Sequence, residues 1–259
     1  MKRSWLWLLA AFVLLIGAPA QAQSLDELVR RADMVFRGKT SAAVFEMAVK
    51  TKRYKRQLKV VAWDDSRKED KTLIKILGPA SWRGHATLKI ENRLKLYNPK
   101  TNHVQVVGHS MLGDSWMGSH FSNDDLVKET RLARDYKLSL LKKWKGKAKV
   151  GGSANHFRVE MTPKPTAPVA WGKIVYELWS NDEATVPVVA KYYRKASDKK
   201  HARAIRFSRI KKLAGRWVPT RMVIKVRSKP GEYTRITYKK LKLGLDIPAS
   251  KFTEQAMKH

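Results

Sequence analysis

Two short blocks of this 259-residue chain hold the residue types of a nucleophilic hydrolase: Gly113-Asp114-Ser115 and Asp198-Lys199-Lys200-His201. A serine becomes a useful nucleophile when a histidine within hydrogen-bond reach takes its proton and an acid orients that histidine. Blocks of this kind work in a parallel α/β sheet, with the serine at the end of the first strand. Here the triplet falls mid-chain among alternating strands and Trp116 follows the serine. The match is read as chance, and no catalytic residue is expected. The seven histidines (His85, His103, His109, His120, His156, His201 and His259) lack the paired spacing of a metal site. His103, His109 and His120 lie closer together, but surface turns suit them better than ligation. The chain contains no cysteine, which excludes disulfides, thiol chemistry and zinc–thiolate sites. Neither a metal nor a cofactor is expected.

The more distinctive chemistry is apolar. Between Gly108 and Leu126, Met111, Leu112, Trp116, Met117 and Phe121 alternate with the small residues Gly108, Ser110, Gly113, Ser115, Gly118 and Ser119. Strand alternation stops here, and glycine permits backbone shapes that other residues avoid. Large adaptable side chains on such a loop suit a surface that must fit irregular apolar objects, and the flexible thioether of methionine serves that purpose well. Burial as the plug of an ordinary core explains the same residues about equally well.

These residues must be positioned by the rest of the chain. Lys2 and Arg3, the apolar run Trp5–Ile16 and the small-x-small sequence Ala20-Gln21-Ala22 read as a secretory signal cleaved after Ala22. The run is too short to span a membrane. Residues 23–259 are then expected as one exported domain in the periplasm, and the lack of cysteine argues against a lipid anchor. The charge is 54 Lys+Arg against 22 Asp+Glu, net +32. Export disfavours nucleic acid as the reason for this excess and favours anionic lipid head groups, lipopolysaccharide phosphates or an acidic protein partner. The basic residues alternate with apolar ones, as on the wet face of a sheet; this explains their positions but not the imbalance of sign.

A first helix is expected behind Ser24, with Leu25, Leu28, Val29, Ala32, Val35 and Phe36 on one stripe. Strands follow at Phe45/Met47/Val49, Leu58/Val60/Ala62, Ile74/Ile76, Leu88–Leu96 with an irregularity near Asn92, and Val104/Val106. A second helical region begins at Ser122 with Asp124 and Asp125 in its first turn, where the helix dipole favours acids, and helical character continues from Arg131 to Leu141. Strands resume at Phe157–Met161, Ile174–Leu178, Val188–Tyr193, Ile205/Phe207, Met222–Val226 and Ile236–Leu243, and the tail from Ile247 folds back as a short helix. The class is mainly β: an incomplete, strongly curved antiparallel barrel of about ten or eleven strands, with helices over its concave face.

Three stretches carry a family resemblance: Gly113–Leu126 (GDSWMGSHFSNDDL), Thr162–Lys173 (TPKPTAPVAWGK) and Trp217–Met222 (WVPTRM). With them the chain resembles the LolA-like outer-membrane lipoprotein-sorting family over essentially its whole length after the signal. The resemblance implies an unclosed barrel that carries the acyl chains of a lipoprotein or envelope lipid toward the outer membrane, and implies that the protein is not an enzyme. Keeping acyl chains from water is worth about 0.8 kcal/mol per buried methylene. On this reading the wall and mouth comprise Phe45, Met47, Val60, Ile74, Ile76, Leu88, Ile90, Met111, Leu112, Trp116, Met117, Phe121, Val159, Met161, Tyr176, Phe207, Met222 and Ile224. Leu25, Leu28, Val29, Ala32 and Phe36 form the lid helix. Expected partners are the acyl chains, an inner-membrane transporter, an outer-membrane acceptor and an anionic membrane surface; a monomer is expected. A filled barrel would show the same alternation, and a basic periplasmic adaptor that docks on a membrane transporter or an anionic membrane surface without carrying lipid would show the same charge.

Overall fold

Alternation of apolar and charged residues carries most of the chain into one antiparallel sheet. The computed structural model describes residues 24–128, 132–167 and 169–259; the expected signal lies outside the described residues. Helix α1 (Leu25–Asp33) comes first and ends in a 3-10 turn, Met34–Phe36. The first six strands are β1 (Thr40–Lys50), β2 (Lys55–Asp65), β3 (Lys71–Gly78), β4 (Ala86–Ile90), β5 (Arg93–Asn98) and β6 (His103–Val106). The loop from Val107 leads into α2 (Asn123–Lys128) and α3 (Leu132–Asp135). Seven strands follow: β7 (Tyr136–Lys147), β8 (Ser153–Pro163), β9 (Lys173–Ser180), β10 (Thr185–Tyr193), β11 (Arg203–Leu213), β12 (Arg216–Val226) and β13 (Tyr233–Leu243). The chain closes with a 3-10 turn, Ala249–Phe252, and α4 (Glu254–Lys258).

The strand order is β6-β5-β4-β3-β2-β1-β13-β12-β11-β10-β9-β8-β7. The two ends of the chain meet at the centre, where β1 pairs with β13, while β6 and β7 are left as the two edges of a curved, unclosed sheet. The expected architecture is therefore present with thirteen strands instead of ten or eleven. Both additions have a local cause. The irregularity near Asn92 is a hairpin turn, with Glu91 at φ 52° and Ile90 paired directly with Arg93. The stretch expected to stay helical to Leu141 leaves the helix at Asp135 and becomes β7. Its alternation is blurred by a bulge between Leu140 and Lys142, and an exposed edge strand need not keep an apolar phase.

Helix α1 starts where Ser24 Oγ accepts the Glu27 N–H at 3.2 Å. It buries Leu28, Val29 and Ala32 over the concave face, in one cluster with Phe45, Met47, Val60, Val159, Met161, Tyr176 and Ile224. A second apolar layer lies on the opposite face of β3–β5, where Ile247, Phe252 and Met257 from the C-terminal segment cover Leu73, Leu88 and Tyr97, with Ile90 packed alongside. Leu88 and Ile90, expected in the cavity wall, therefore face away from it. Strand β4 is covered on both sides, so alternation alone could not say which phase pointed inward. Leu88 is 2 % exposed, and Leu88→Ala should cost about 2–5 kcal/mol of stability. Because the residue belongs to the outer layer, apolar-probe binding at the concave face should be unchanged at a temperature where the variant is folded, as thermal melts and a probe titration would check.

Candidate ligand cavity

The concave face and its helical cover do not meet everywhere. Between them lies a cavity of about 190 Å³. Its floor is drawn from strands far apart in sequence: Ala43 and Phe45 on β1, Ala62 on β2, Ile74 on β3, Ile174 and Tyr176 on β9, Ile205 and Phe207 on β11, Met222 on β12, and Ile236 and Tyr238 on β13. The space has an identifiable origin. Ala43 and Ala62 stand directly opposite each other across the β1/β2 ladder, so at this one level two adjacent strands present only methyl groups to the interior. One wall is aromatic, with Phe36 stacked on Tyr238 at 4.6 Å between ring centroids and Phe45 on the other flank of Tyr238 at 5.6 Å.

The roof is made by Ala32 and Phe36, by Trp116 and Phe121 from the Met/Trp loop, by Leu126 and Leu132 of α2 and α3, and by Val169 and Trp171 from the link between β8 and β9. Ser122 starts α2 as expected: its hydroxyl accepts the Asp125 N–H at 3.2 Å, and the Asp125 carboxylate accepts the Ser122 N–H at 2.8 Å. Gly172 explains where Trp171 sits. A side-chain carbon at 172 would lie 2.7 Å from the Arg194 carbonyl, so only glycine lets this link press against the β10–β11 turn.

Polar groups tie the roof to the sheet. Arg203 on β11 grips Asp125 of α2 with both terminal nitrogens, the Nη1–Oδ2 distance being 2.6 Å. The side chains are only 7 % and 14 % exposed. The guanidinium lies 4.6 Å from the Trp171 ring centre and 4.5 Å from that of Tyr192, close enough for cation–π attraction. Burial works against its charge, but the charge and hydrogen bonds of Asp125 outweigh that and hold Arg203 above the usual arginine range. Arg37, at the other side of the cavity, donates to Asp64 at 2.5 Å and to Thr72 at 3.0 Å. Tyr176 donates to Asp33 of α1 at 3.3 Å. Burial in first place, with the Asp33 charge, raises its phenol well above the usual value, so it stays a neutral donor.

The Met/Trp loop is anchored at several points. Trp116, 2 % exposed, donates from its indole to Thr87 Oγ1 at 3.0 Å. The Gly118 carbonyl accepts the Tyr54 hydroxyl at 2.5 Å and the Met117 carbonyl accepts Arg56. Met117 and Gly118 both have positive φ, and a side-chain carbon at 118 would lie 2.7 Å from the Tyr54 hydroxyl. His120 donates its N–H to Thr234 Oγ1 at 2.9 Å, and its ring lies between Thr234 and Glu232. Burial pushes the His120 pKa below its ordinary 6.5 despite Glu232. The folded state thus favours neutral imidazole, and its contribution to stability is complete above pH 6.5 and fades as pH falls toward the folded value. The melting temperature should fall between about pH 7 and pH 5, and His120→Gln should flatten that slope. Melts across that window check this.

The expected site residues divide into groups. Phe45, Ile74, Trp116, Phe121, Tyr176, Phe207 and Met222, with Ala32 and Phe36 of the lid, line the cavity. Met47, Val60, Ile76, Val159, Met161 and Ile224, with Leu28 and Val29, are buried in the surrounding cluster without reaching it, and Leu25 and Met117 pack at that cluster's margin. Met111 and Leu112 are half-buried in the loop away from the cavity. Leu88 and Ile90 belong to the opposite layer. The hydrolase blocks are put to other uses: the Ser115 hydroxyl donates to the Ser119 carbonyl of its own loop, and His201 sits in the β10–β11 turn beside Tyr193. Sequence reasoning missed the Arg203–Asp125 and Arg37–Asp64 pairs. A signal existed: Arg203 shares the strand phase of Ile205 and Phe207, and Asp64 that of Val60 and Ala62, so each puts a charge on an otherwise apolar face.

Residues 68–259 match the model of a family carried under the description "-like: Uncharacterized protein". A comparison with curated proteins finds no significant match. Among solved structures, a DUF1329 family protein from Desulfovibrio piger superposes with a TM-score of 0.75 at 21 % identity, covering 90 % of this chain and 97 % of that one. A domain from Vibrio parahaemolyticus named for outer membrane lipoprotein sorting gives 0.70 at 19 % identity, over 90 % and 98 % of the two chains. A LolA superfamily protein from Nitrosomonas europaea gives 0.69 at 20 % identity, over 91 % and 100 %. At these identities the likeness establishes the fold, which is LolA-like.

Proposed function

We propose that this chain, which belongs to the family matched over residues 68–259 and has a LolA-like fold, is a periplasmic carrier that shields acyl chains of lipoproteins or envelope lipids in transit toward the outer membrane. The observation that carries this reading is the cavity itself, an apolar space left between a curved sheet and its helical roof by facing alanines. Residues 1–22 serve as a cleaved export signal, and residues 23–259 act as one carrier domain without a catalytic step.

Cavity size sets the form of the mechanism. A dry apolar cavity of ~150 Å³ admits a ligand the size of benzene, so about 190 Å³ takes a short stretch of one acyl chain with the roof in this position. A whole chain requires the roof to move outward, extending the space along the concave face. Each methylene that enters contributes about 0.8 kcal/mol, and closure of the roof excludes water from it. The Arg203–Asp125 pair resists opening, so loading and release are opposed by a definite contact. Lipid extraction and mass spectrometry of the purified mature protein tests the proposal. Bound acyl lipid supports a carrier. Repeatedly empty preparations, with apolar-dye binding unchanged by Trp116→Ala, would favour the basic adaptor.

A further inference from the structure

Strand β7 is an outer edge of the sheet, twelve residues long. Natural edges of this length are guarded against pairing by lysines and bulges, and β7 has both: five lysines between 137 and 147, with Lys149 just beyond, and the bulge at Leu140/Lys142. Yet Leu140 and Leu141 stand at that bulge 50 % and 51 % exposed, which edge protection does not explain. From Tyr136 to Val159 the sequence contains no aspartate or glutamate; Glu160, opposite Ser139 on β8, is the nearest carboxylate along the β7/β8 ladder, so lysines far outnumber acids around the leucines. The opposite edge, β6, is guarded simply by being four residues long.

We propose that the β7 edge docks the protein on an anionic bilayer. Leu140 and Leu141 enter the head-group layer, while the lysines keep their ammonium groups at the lipid phosphates and lay their stems along the apolar boundary. A bilayer fits better than an added protein strand. The bulge interrupts the regular row of backbone groups that such a strand would need, whereas a fluid lipid surface needs no register. The net charge of +32, or +30 once Lys2 and Arg3 leave with the signal, supplies general attraction, and the leucines give it a point of entry. The placement has a consequence that rests on the carrier reading: Tyr136, the first residue of β7, lines the cavity, so one strand runs from the cavity wall to the docking surface.

The absence of native cysteine makes the test direct. Leu141→Cys carrying an environment-sensitive fluorophore, in the full mature chain, is mixed with phosphatidylcholine vesicles with or without phosphatidylglycerol; Lys211→Cys on β11 is the control. The expected result is a blue shift at 141 only, on anionic vesicles only, that weakens as added salt shortens the screening length from about 10 Å at ~0.1 M to about 3 Å at ~1 M. In vesicle flotation of unlabelled protein, Lys142→Gln/Lys143→Gln/Lys145→Gln should weaken binding roughly tenfold or more, and Lys211→Gln/Lys212→Gln/Lys240→Gln, with the same charge change, far less. No shift on any vesicle, equal shifts at 141 and 211, or equal losses in the two triple variants would overturn the proposal; binding of an acidic peptide at 141 without any vesicle shift would assign the edge to a protein instead. Acyl-probe binding in solution is unaffected by these edge variants, so failure of docking and failure of acyl carriage are read separately.

Discussion

Ala62→Phe should lower affinity for a fluorescent acyl probe by at least about tenfold, equivalent to ~1.4 kcal/mol, while leaving the fold intact. Ala62 faces Ala43 across the β1/β2 ladder and both line the cavity. An aromatic ring built from position 62 enters space that is now vacant, so the usual overpacking cost of roughly 1–3 kcal/mol should be mostly avoided. Loss of binding with an unchanged or higher melting temperature is the expected pattern, since the substitution exchanges ligand volume for core volume. Ala43→Phe should act in the same way, and the double variant should add little once the space is occupied. Probe titrations beside thermal melts give both quantities. Undiminished binding in a folded Ala62→Phe protein would place the apolar site elsewhere.

The second large effect is on stability. Arg203→Ala removes one partner of a buried ion pair and leaves the Asp125 carboxylate under the roof without its guanidinium, a change that typically costs about 3–5 kcal/mol. It also removes the cation held between Trp171 and Tyr192. For a domain of this size each kcal/mol lowers the melting temperature by about 2–4 °C, so the fall should be on the order of 10 °C. Arg203→Met combined with Asp125→Leu should recover most of it, because paired apolar replacements of a buried ion pair are often neutral or better. Strongly subadditive destabilisation would show that the two residues act as one contact, and simple additivity would refute it. If the pair holds the roof shut, the Arg203→Met/Asp125→Leu protein should also exchange acyl probe faster than the native chain in stopped-flow displacement.

The concave face was legible because Phe45/Met47, Ile174/Tyr176 and Ile205/Phe207 repeat with the period of a strand buried on one side. The start of α2 was legible because Ser122 and Asp125 satisfy each other's backbone groups. Periodicity failed where a strand had no single buried side. Strand β4 is covered on both faces, so Leu88 and Ile90 carried no information about direction. Strand β7 is exposed, and its bulge shifted the phase of its lysines and leucines. The cavity itself was not legible: its cause is the meeting of Ala43 and Ala62, two small residues whose register is set by pairing nineteen positions apart. Arg203 was hidden for a different reason. In a chain with 54 basic residues one more arginine attracts no notice until its strand phase is compared with its neighbours'.

Asp33, Asp64, Asp124, Asp125 and Asp135 all border the cavity, so a sizeable share of the chain's 22 carboxylates is committed to the roof and its anchors. Arg203 and Arg37 border the same space and pair with Asp125 and Asp64.

In the loaded carrier an acyl chain is expected to lie between the concave sheet and the helices. Photo-crosslinking with a fatty acid that carries a diazirine near its methyl end, followed by peptide mapping, tests it most directly. Adducts are expected on peptides containing Phe45, Met222 and Tyr238, suppressed in Ala62→Phe. Adducts confined to outer residues such as Leu140 and Leu141, with the peptides of the cavity floor unlabelled, would contradict it.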